Sequence, residues 1–539
     1  MSLPAFELPA VDQTSPAQHE PARRLALRAP LIAAAIALVA GFAVVNTLPV
    51  GGFYDDAFYV ILAKSLATAH SYRNLNLPGA PFATHYPPGY PLLLAVLWWL
   101  GPAFPANLVL FKVANALFLG IAAAFACRLG QEQLGLGVGV ALVAVAAGTA
   151  TTPALYLSSM VLSETMFLGL ALPLILWAER RTTAKEDDVR GAMYIGACAG
   201  LLFLVRSQAI ALIGAVVVVY AVRRRWRESI IAAVAAGVVI GPWLFWVAAH
   251  DNAVPALMRG DYGSYFAWFK DGLRDRGIGL VLDTMRRNVP DMLRHVAYRL
   301  QPPSKPLPDV VASLCVLLFA ALGTIRLARR APLTLLFLAA YLAIAAVWPF
   351  PSVRFLLGAW VLLMLLLAAG VQTLMENRWP NAAWHRPSVL FTRRIVGTIA
   401  SVILLGGAIA YNVRGFQRRG WATTEEQSWR WIGPKVPWIV THTEASDVIA
   451  TDHDEGAIYL YSERRSVPLT TFTAVEYLAP RSADADAAAL HSLTDYYKPD
   501  YLVVSSVRLR TAAAALSVQG VPLEDGVHQI VPWVFTPRH

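Results

Sequence analysis

Charge is what this chain has least of for its size. Only 15% of its 539 residues are Asp, Glu, Lys or Arg, where a soluble domain carries about 25%. Cysteine is nearly absent: Cys127, Cys198 and Cys315 are the only three, with no C-x-x-C and no His at ligand spacing. That pattern excludes a disulfide framework and a zinc finger, and reads as small apolar packing residues. The chain has no Walker-type glycine loop, no G-x-S-x-G elbow and no H-E-x-x-H helix, which removes the sequence basis for P-loop nucleotide hydrolysis and for serine or zinc proteolysis. No internal repeat is visible.

Hydrophobic residues make up 57% of the chain and its mean hydropathy is +0.50. The apolar residues fall in runs close to the roughly 20 residues that cross a hydrocarbon core. The net charge of +10 does not point to nucleic acid, because the Lys and Arg sit in short clusters between those runs, as insertion polarity requires.

In chain order, residues 1–22 are rich in Pro, Ala and Glu without periodicity, which predicts a disordered cytoplasmic tail. Arg23, Arg24 and Arg28 precede the first apolar run at 29–48, read as an uncleaved span. Further spans are predicted at 106–127, 134–151, 155–178, 191–206, 208–222, 229–249, 309–325, 332–349, 355–375 and 395–413, eleven in all. Tyr90–Leu100 is too short to cross and is read as an interfacial or re-entrant helix after a Pro-broken turn. Arginines gather in alternate connections: 128–133, 179–190, 223–227, 326–330 and 376–394. That alternation places the N-terminus in the cytoplasm and puts the first loop (49–105), the Arg-rich 250–308 loop and the C-terminus outside. From 414 the composition changes, and a small α/β domain is predicted over 414–539, following a membrane domain at 23–413. Its strands are expected at 448–451, 466–470, 501–505 and 528–535, with helices at 455–463, 484–498 and 510–519. The acids Asp452, Asp454 and Glu455 read as a capped strand-to-helix turn rather than a calcium site.

Chemistry concentrates in the first loop. Asp55 and Asp56 open a helical stripe of Phe58, Ile61, Leu62, Ser65 and Leu66. One acid can cap that helix while the other works as a base. His85-Tyr-Pro-Pro-Gly-Tyr-Pro91 reads as a rigid turn that presents His85 and Tyr86 to the same outer surface. The imidazole would donate to an anion or carry charge in mild acid. Glu164 lies in the outer half of the 155–178 span, to bind a sugar hydroxyl or to pair with Arg206. Arg206 and Arg354 stand at outer span ends and either snorkel or grip a phosphate; Arg354, after Pro-Phe-Pro, is the preferred phosphate ligand.

These features together resemble the C-superfamily (GT-C) of membrane glycosyltransferases: an acid pair opening the first outer helix, a Tyr-Pro-Pro turn, Ser163-Glu164 and Arg354-Phe355. The resemblance covers roughly residues 30–375 and is nearest to bacterial relatives of the protein O-mannosyltransferases and of the lipid A aminoarabinose transferase. It implies a polytopic helical protein of a bacterial inner membrane that takes a sugar from a polyprenyl-phosphate donor. The sugar would pass to a lipid, glycan or protein acceptor at the outer face, with membrane lipids as further partners and no nucleic acid. Asp55 would be the essential acid, Asp56 its supporting neighbour, and His85 and Tyr86 would lie beside the donor. The aminoarabinose transferases carry Lys immediately before the two prolines, where this chain has Tyr86. Phosphate contact would then fall to His85, Arg206, Arg354 or the 250–308 arginines. Inversion follows from a single displacement with one base. No cofactor is required, although the adjacent acids could hold a divalent cation on the phosphate. Two readings from other classes compete: a secondary transporter or flippase of a lipid-linked or anionic substrate, and an inactive scaffold or receptor.

Overall fold

The computed structural model describes residues 16–184, 187–301, 306–376, 387–452, 454–479, 481–522 and 532–537. Among them, five helices are long and apolar enough to cross a bilayer alone: Arg24–Ala43, Leu108–Glu132, Trp226–Ala249, Asp309–Arg330 and Phe391–Gln417. A sixth crossing arises if Val138–Thr149 and Thr152–Ser159, bent by 49°, act as one. Shorter apolar helices at Val189–Val205, Ser207–Val222, Pro332–Val347 and Trp360–Met375 pack between the long ones. Each predicted span thus falls on a helix or on a broken pair of helices. The first helix begins at Pro16 and takes in the last residues of the tail read as disordered; residues 1–15 lie outside the described residues.

Two faces of the bundle obey different rules. Outward residues such as Leu31, Val39, Val238 and Phe245 are large, apolar and exposed, as a lipid-facing belt requires. Inward contacts depend on small residues. A Cβ on Gly370 would stand 1.9 Å from the Phe319 carbonyl oxygen, and one on Gly323 would stand 2.1 Å from that of Leu366, so glycine lets these two helices touch backbone to backbone. The carboxylate of Glu179, fully buried, accepts from the Thr334 amide at 2.9 Å and its hydroxyl at 2.7 Å. It thereby satisfies the free N–H groups at the start of Pro332–Val347.

The span predicted at 155–178 is interrupted. Helix Thr152–Ser159 stops, Met160 is extended, and a new helix runs from Glu164 to Thr183. Non-helical backbone inside a bundle needs internal partners, and Asn115 Nδ2 donates to the Met160 carbonyl at 2.6 Å. The break moves Glu164 from mid-helix to a helix N-terminus. A similar break at Ala359 separates Val353–Gly358 from Trp360–Met375.

The first loop carries Asp55–Ala69 and the short apolar helix Gly89–Leu100. The long 250–308 loop contains helices Tyr265–Arg276 and Gly279–Arg299. The C-terminal region forms a five-stranded sheet: β1 (Val448–Thr451), β2 (Arg465–Pro468), β3 (Tyr501–Val504), β4 (Ser517–Pro522) and β5 (Trp533–Pro537), in the order β2-β1-β3-β5-β4. β1 runs parallel to β2 and β3, and β5 runs antiparallel to β3 and β4. Helices Glu455–Ser462 and Ala483–Tyr497 supply the two parallel crossovers, as parallel pairing demands. β4 is the strand the sequence reading lacks: the helix expected at 510–519 spans Val507–Ala515, and the chain after it pairs with β5. The C-terminal strand is described only from Trp533, so residues 528–531 of the expected one lie outside the described residues.

Candidate active site

The first loop reaches its helix through a strained turn. Gly51 has φ +108°, and a Cβ there would sit 2.4 Å from Ala457 Cβ of the C-terminal domain, so no other residue fits. Tyr54 has φ 69° and ψ −70°, with the Asp55 amide donating to the Phe53 carbonyl at 2.9 Å. This is the rare γ-turn of positive φ. Strain of this kind persists where surrounding contacts over-determine it, and here Asp56 does so. Its carboxylate, 1% exposed, accepts from the amides of Gly51 (3.0 Å), Phe53 (3.3 Å) and Ala57 (3.0 Å). Burial raises its pKa to about 6 while those amides pull the other way. The N-cap position belongs to Tyr54 and carries no side-chain cap. Neither acid caps the helix as expected; Asp56 braces the loop.

Asp55, its neighbour, turns the other way. It lines a cavity of roughly 1370 Å³ shared by the membrane bundle, the long loop and the C-terminal domain. Arg354 Nη1 stands 2.5 Å from Asp55 Oδ2, and Arg354 Nε stands 2.6 Å from Glu164 Oε1. Arg206 Nη1 reaches the same Glu164 oxygen at 3.1 Å and Ser163 Oγ at 3.0 Å. Two guanidinium groups and two carboxylates thus form one chain, and their formal charges cancel. Arg354 also lies over the Phe53 ring at 4.7 Å. Two donors remain without a hydrogen-bond partner among the described residues, Arg354 Nη2 and Arg206 Nε. Both arginines line the cavity, whereas fully buried Glu164 stands behind them and does not. Glu164 therefore holds the arginines from outside the cavity, and of its two expected roles the pairing with Arg206 is the one the geometry displays.

Tyr86 donates to Asp55 Oδ1 at 2.9 Å. The residue that stands where the aminoarabinose transferases carry Lys thus contacts the acid itself, and the cations on the bundle side of the cavity wall are Arg206 and Arg354. His85 lines the cavity, but its Nδ1–H donates to the Gly263 carbonyl at 2.6 Å, so that N–H does not reach an anion. Burial lowers its pKa to about 4, against the opposing pull of Gly263 and Asp55. The imidazole is neutral in mild acid, contrary to the expected charge. None of the arginines of the 250–308 loop lines the cavity. Arg287 instead donates to the carbonyls of Tyr477 (2.8 Å) and Phe350 (3.0 Å), which locks the Pro-Phe-Pro turn before Arg354.

The adjacent acids do not make an ion cage. Asp56 is occupied by three amides and Asp55 by Arg354 and Tyr86, and no group of three or more His, Cys, Asp or Glu positioned for a metal occurs among the described residues. Asp452, Asp454 and Glu455 likewise diverge. Asp454 stands at the helix N-cap without capping it and instead accepts from Lys435 at 2.8 Å and from the Thr451 hydroxyl at 2.5 Å. Glu455 accepts from Tyr54 at 2.8 Å and Tyr262 at 2.9 Å, which clamps the strained turn to the C-terminal domain.

Several participants escaped the sequence reading. Tyr59 lies one turn beyond Asp55 and its hydroxyl contacts Ser163 Oγ at 3.0 Å; the i, i+4 spacing was the available signal. Tyr265, 4.0 Å ring to ring from His85, comes from the far loop and had none.

No protein-family model matches the chain, nor does any curated protein sequence. Among solved structures, it is similar to ArnT from Cupriavidus metallidurans bound to undecaprenyl phosphate: TM-score 0.54, 13% identity, over 94% of this chain and 97% of that one. The apo state of the same ArnT gives 0.53 at 13% identity over the same shares. The Archaeoglobus fulgidus oligosaccharyltransferase in its apo form gives 0.50 at 13%, over 90% of this chain and 70% of that one. A likeness of this extent, in a chain of apolar helices with one small sheet, assigns the molecule the fold of the polytopic GT-C membrane glycosyltransferases.

Proposed function

We propose that the protein transfers a sugar from a polyprenyl-phosphate-linked donor to a lipid, glycan or protein acceptor at the outer face of the membrane. In this reading the N-terminus is cytoplasmic and the C-terminal domain periplasmic. The observation that carries it is the Asp55–Arg354–Glu164–Arg206 chain at the wall of a large cavity between bundle and C-terminal domain. A polyprenyl tail stays in the bilayer while its phosphate and anomeric carbon reach that wall. The phosphate takes up the unpartnered donors of Arg354 and Arg206 and draws Arg354 away from Asp55, for guanidinium and phosphate are matched in geometry. Asp55, released, accepts the proton of the acceptor hydroxyl. The hydroxyl oxygen bonds to the anomeric carbon, the bond from that carbon to the phosphate oxygen breaks, and the phosphate leaves with the electron pair. The arginines offset its charge. One displacement inverts the anomeric centre. Tyr86 and Tyr59 orient the acid and Ser163, and Asp56 keeps the loop in place.

The test is transfer from a panel of radiolabelled polyprenyl-phosphate sugars, wild type beside Asp55→Asn. Wild type is expected to transfer at least one sugar, and the variant to lose about 10²–10⁴-fold, the span of a general base. Equal rates in the two proteins would remove Asp55 as the base. Silence from both would favour the transport reading.

A further inference from the structure

The C-terminal sheet brings a second set of polar groups to the same cavity, and the transfer step above uses none of them. β1 pairs with β2 on one side and β3 on the other, both in parallel. The chain therefore leaves β1 toward one edge and crosses back from β2 to reach β3. In open α/β sheets, ligands bind beyond the carboxyl ends of the strands where that direction reverses.

At those ends stand Asp452, after β1, and Ser505 and Ser506, after β3, all lining the cavity. Asp452 Oδ2 accepts the amides of both serines. Its Oδ1 and the hydroxyl of Ser505, which is only 6% exposed, have no hydrogen-bond partner among the described residues. Buried polar atoms without partners are few in native proteins and call for an explanation. Lys435 Nζ stands 2.8 Å from Asp454 Oδ2 and 3.6 Å from Asp452 Oδ2. One cation therefore faces two carboxylates, and the residual negative charge repels a phosphate or carboxylate ligand. An acceptor-only oxygen beside a hydroxyl suits a neutral ligand with neighbouring hydroxyls. Trp431, 43% exposed and lining the same cavity, offers an apolar ring face to the C–H side of a sugar.

We propose that this switch-point pocket binds a glycan through Asp452 and Ser505, and that it holds a carbohydrate acceptor for the reaction proposed above. The acceptor role rests on that reading; the binding itself does not. The full chain in phosphatidylcholine nanodiscs, free of sugar detergents, is to be probed by saturation-transfer difference NMR with lactose, maltose, mannobiose and chitobiose. Inorganic phosphate serves as the competing probe. At least one disaccharide is expected to give signal with wild type. That signal should fall about tenfold in Asp452→Asn and Ser505→Ala, the scale of losing a hydrogen bond to a charged group. Trp431→Ala, at an exposed position, should also weaken it and keeps the test valid if an Asp452 variant misfolds. No disaccharide signal, undiminished signal in all three variants, or binding of phosphate alone would each overturn the proposal. Undecaprenyl-phosphate binding measured on the same samples speaks only to the transfer reading. Lipid binding without sugar binding sinks the glycan pocket alone, and sugar binding without lipid binding sinks the donor reading alone.

Discussion

The cavity is lined at two places by clusters of similar size and opposite character. At the bundle, Arg354 and Arg206 meet Asp55 and Glu164, the charges cancel, and two N–H donors are left over at the cavity wall while Glu164 Oε2 stays unpartnered behind them. At the sheet, Lys435 meets Asp452 and Asp454, and an acceptor oxygen and a hydroxyl are left over. The first arrangement can exchange an internal carboxylate for an incoming anion. The second refuses anions and suits hydroxyls. What is left unpaired, more than what is paired, tells the two apart, because an unsatisfied buried group carries its desolvation penalty until a ligand meets it.

The largest effect should come from breaking the bundle cluster at its hub. Arg354→Gln leaves Asp55 and Glu164 without their shared cation; removing one partner of a buried ion pair costs about 3–5 kcal/mol. Thermal unfolding should show it together with loss of transfer. Arg354→Lys is expected to fail as well, since a single ammonium cannot present the separate Nε and Nη1 donors that reach the two acids. If the Lys variant keeps full activity, the fork is not what matters.

Next comes the junction between the two clusters. Gly51→Ala forces a Cβ onto Ala457 at positive φ, and should lower stability by about 1–3 kcal/mol, the usual cost of overpacking. Pairing it with Ala457→Gly should restore part of the loss. No rescue in the double variant would mean that the φ preference, rather than the contact, sets the cost.

A smaller change is expected for Asp56→Asn. One oxygen still accepts amides, so the loss should be about 1–2 kcal/mol. Donor affinity should suffer more than the pH profile of turnover. A shifted profile with normal affinity would instead make Asp56 an acid or base in its own right.

The last prediction is a pH dependence. Burial raises Glu455 to about 7 from the ordinary 4.5, while Tyr54 and Tyr262, its hydrogen-bond donors, pull it down. A carboxyl raised in the folded state stabilises fully below its unfolded pKa, and the contribution fades as pH rises through the folded value. The melting temperature of wild type relative to Glu455→Gln should therefore fall between about pH 4.5 and 7, read by differential scanning. A flat difference would show that the Glu455 clamp stays charged.

The membrane character, the rough position of most apolar segments and the helix opened by the acid pair were legible in the sequence, for each follows from local composition and from hydropathy over one segment; the break at 160–163 inside one of them was not. So were β1 and β3, apolar runs bounded by polar turns. β4, Ser-Val-Gln-Gly-Val-Pro, was not, because its strand state depends on pairing with β5. The first-loop acids were visible as a pair but not as a pair with divided roles. Which of them faces the cavity depends on a γ-turn at Tyr54 that the C-terminal domain holds through Glu455 and Ala457.

The sequence alone thus determined where the apolar helices lie and which residue types stand at their ends, since the preference of an apolar segment for helix in lipid acts independently of its neighbours. Only the tertiary structure decided that Asp55 and Arg354, 299 residues apart, would share an ion pair, that a helix break would set Glu164 behind both arginines, and that the sheet would turn its switch point toward the same cavity. Those arrangements depend on which elements become neighbours, and periodicity shows which face a residue lies on but not what stands opposite it.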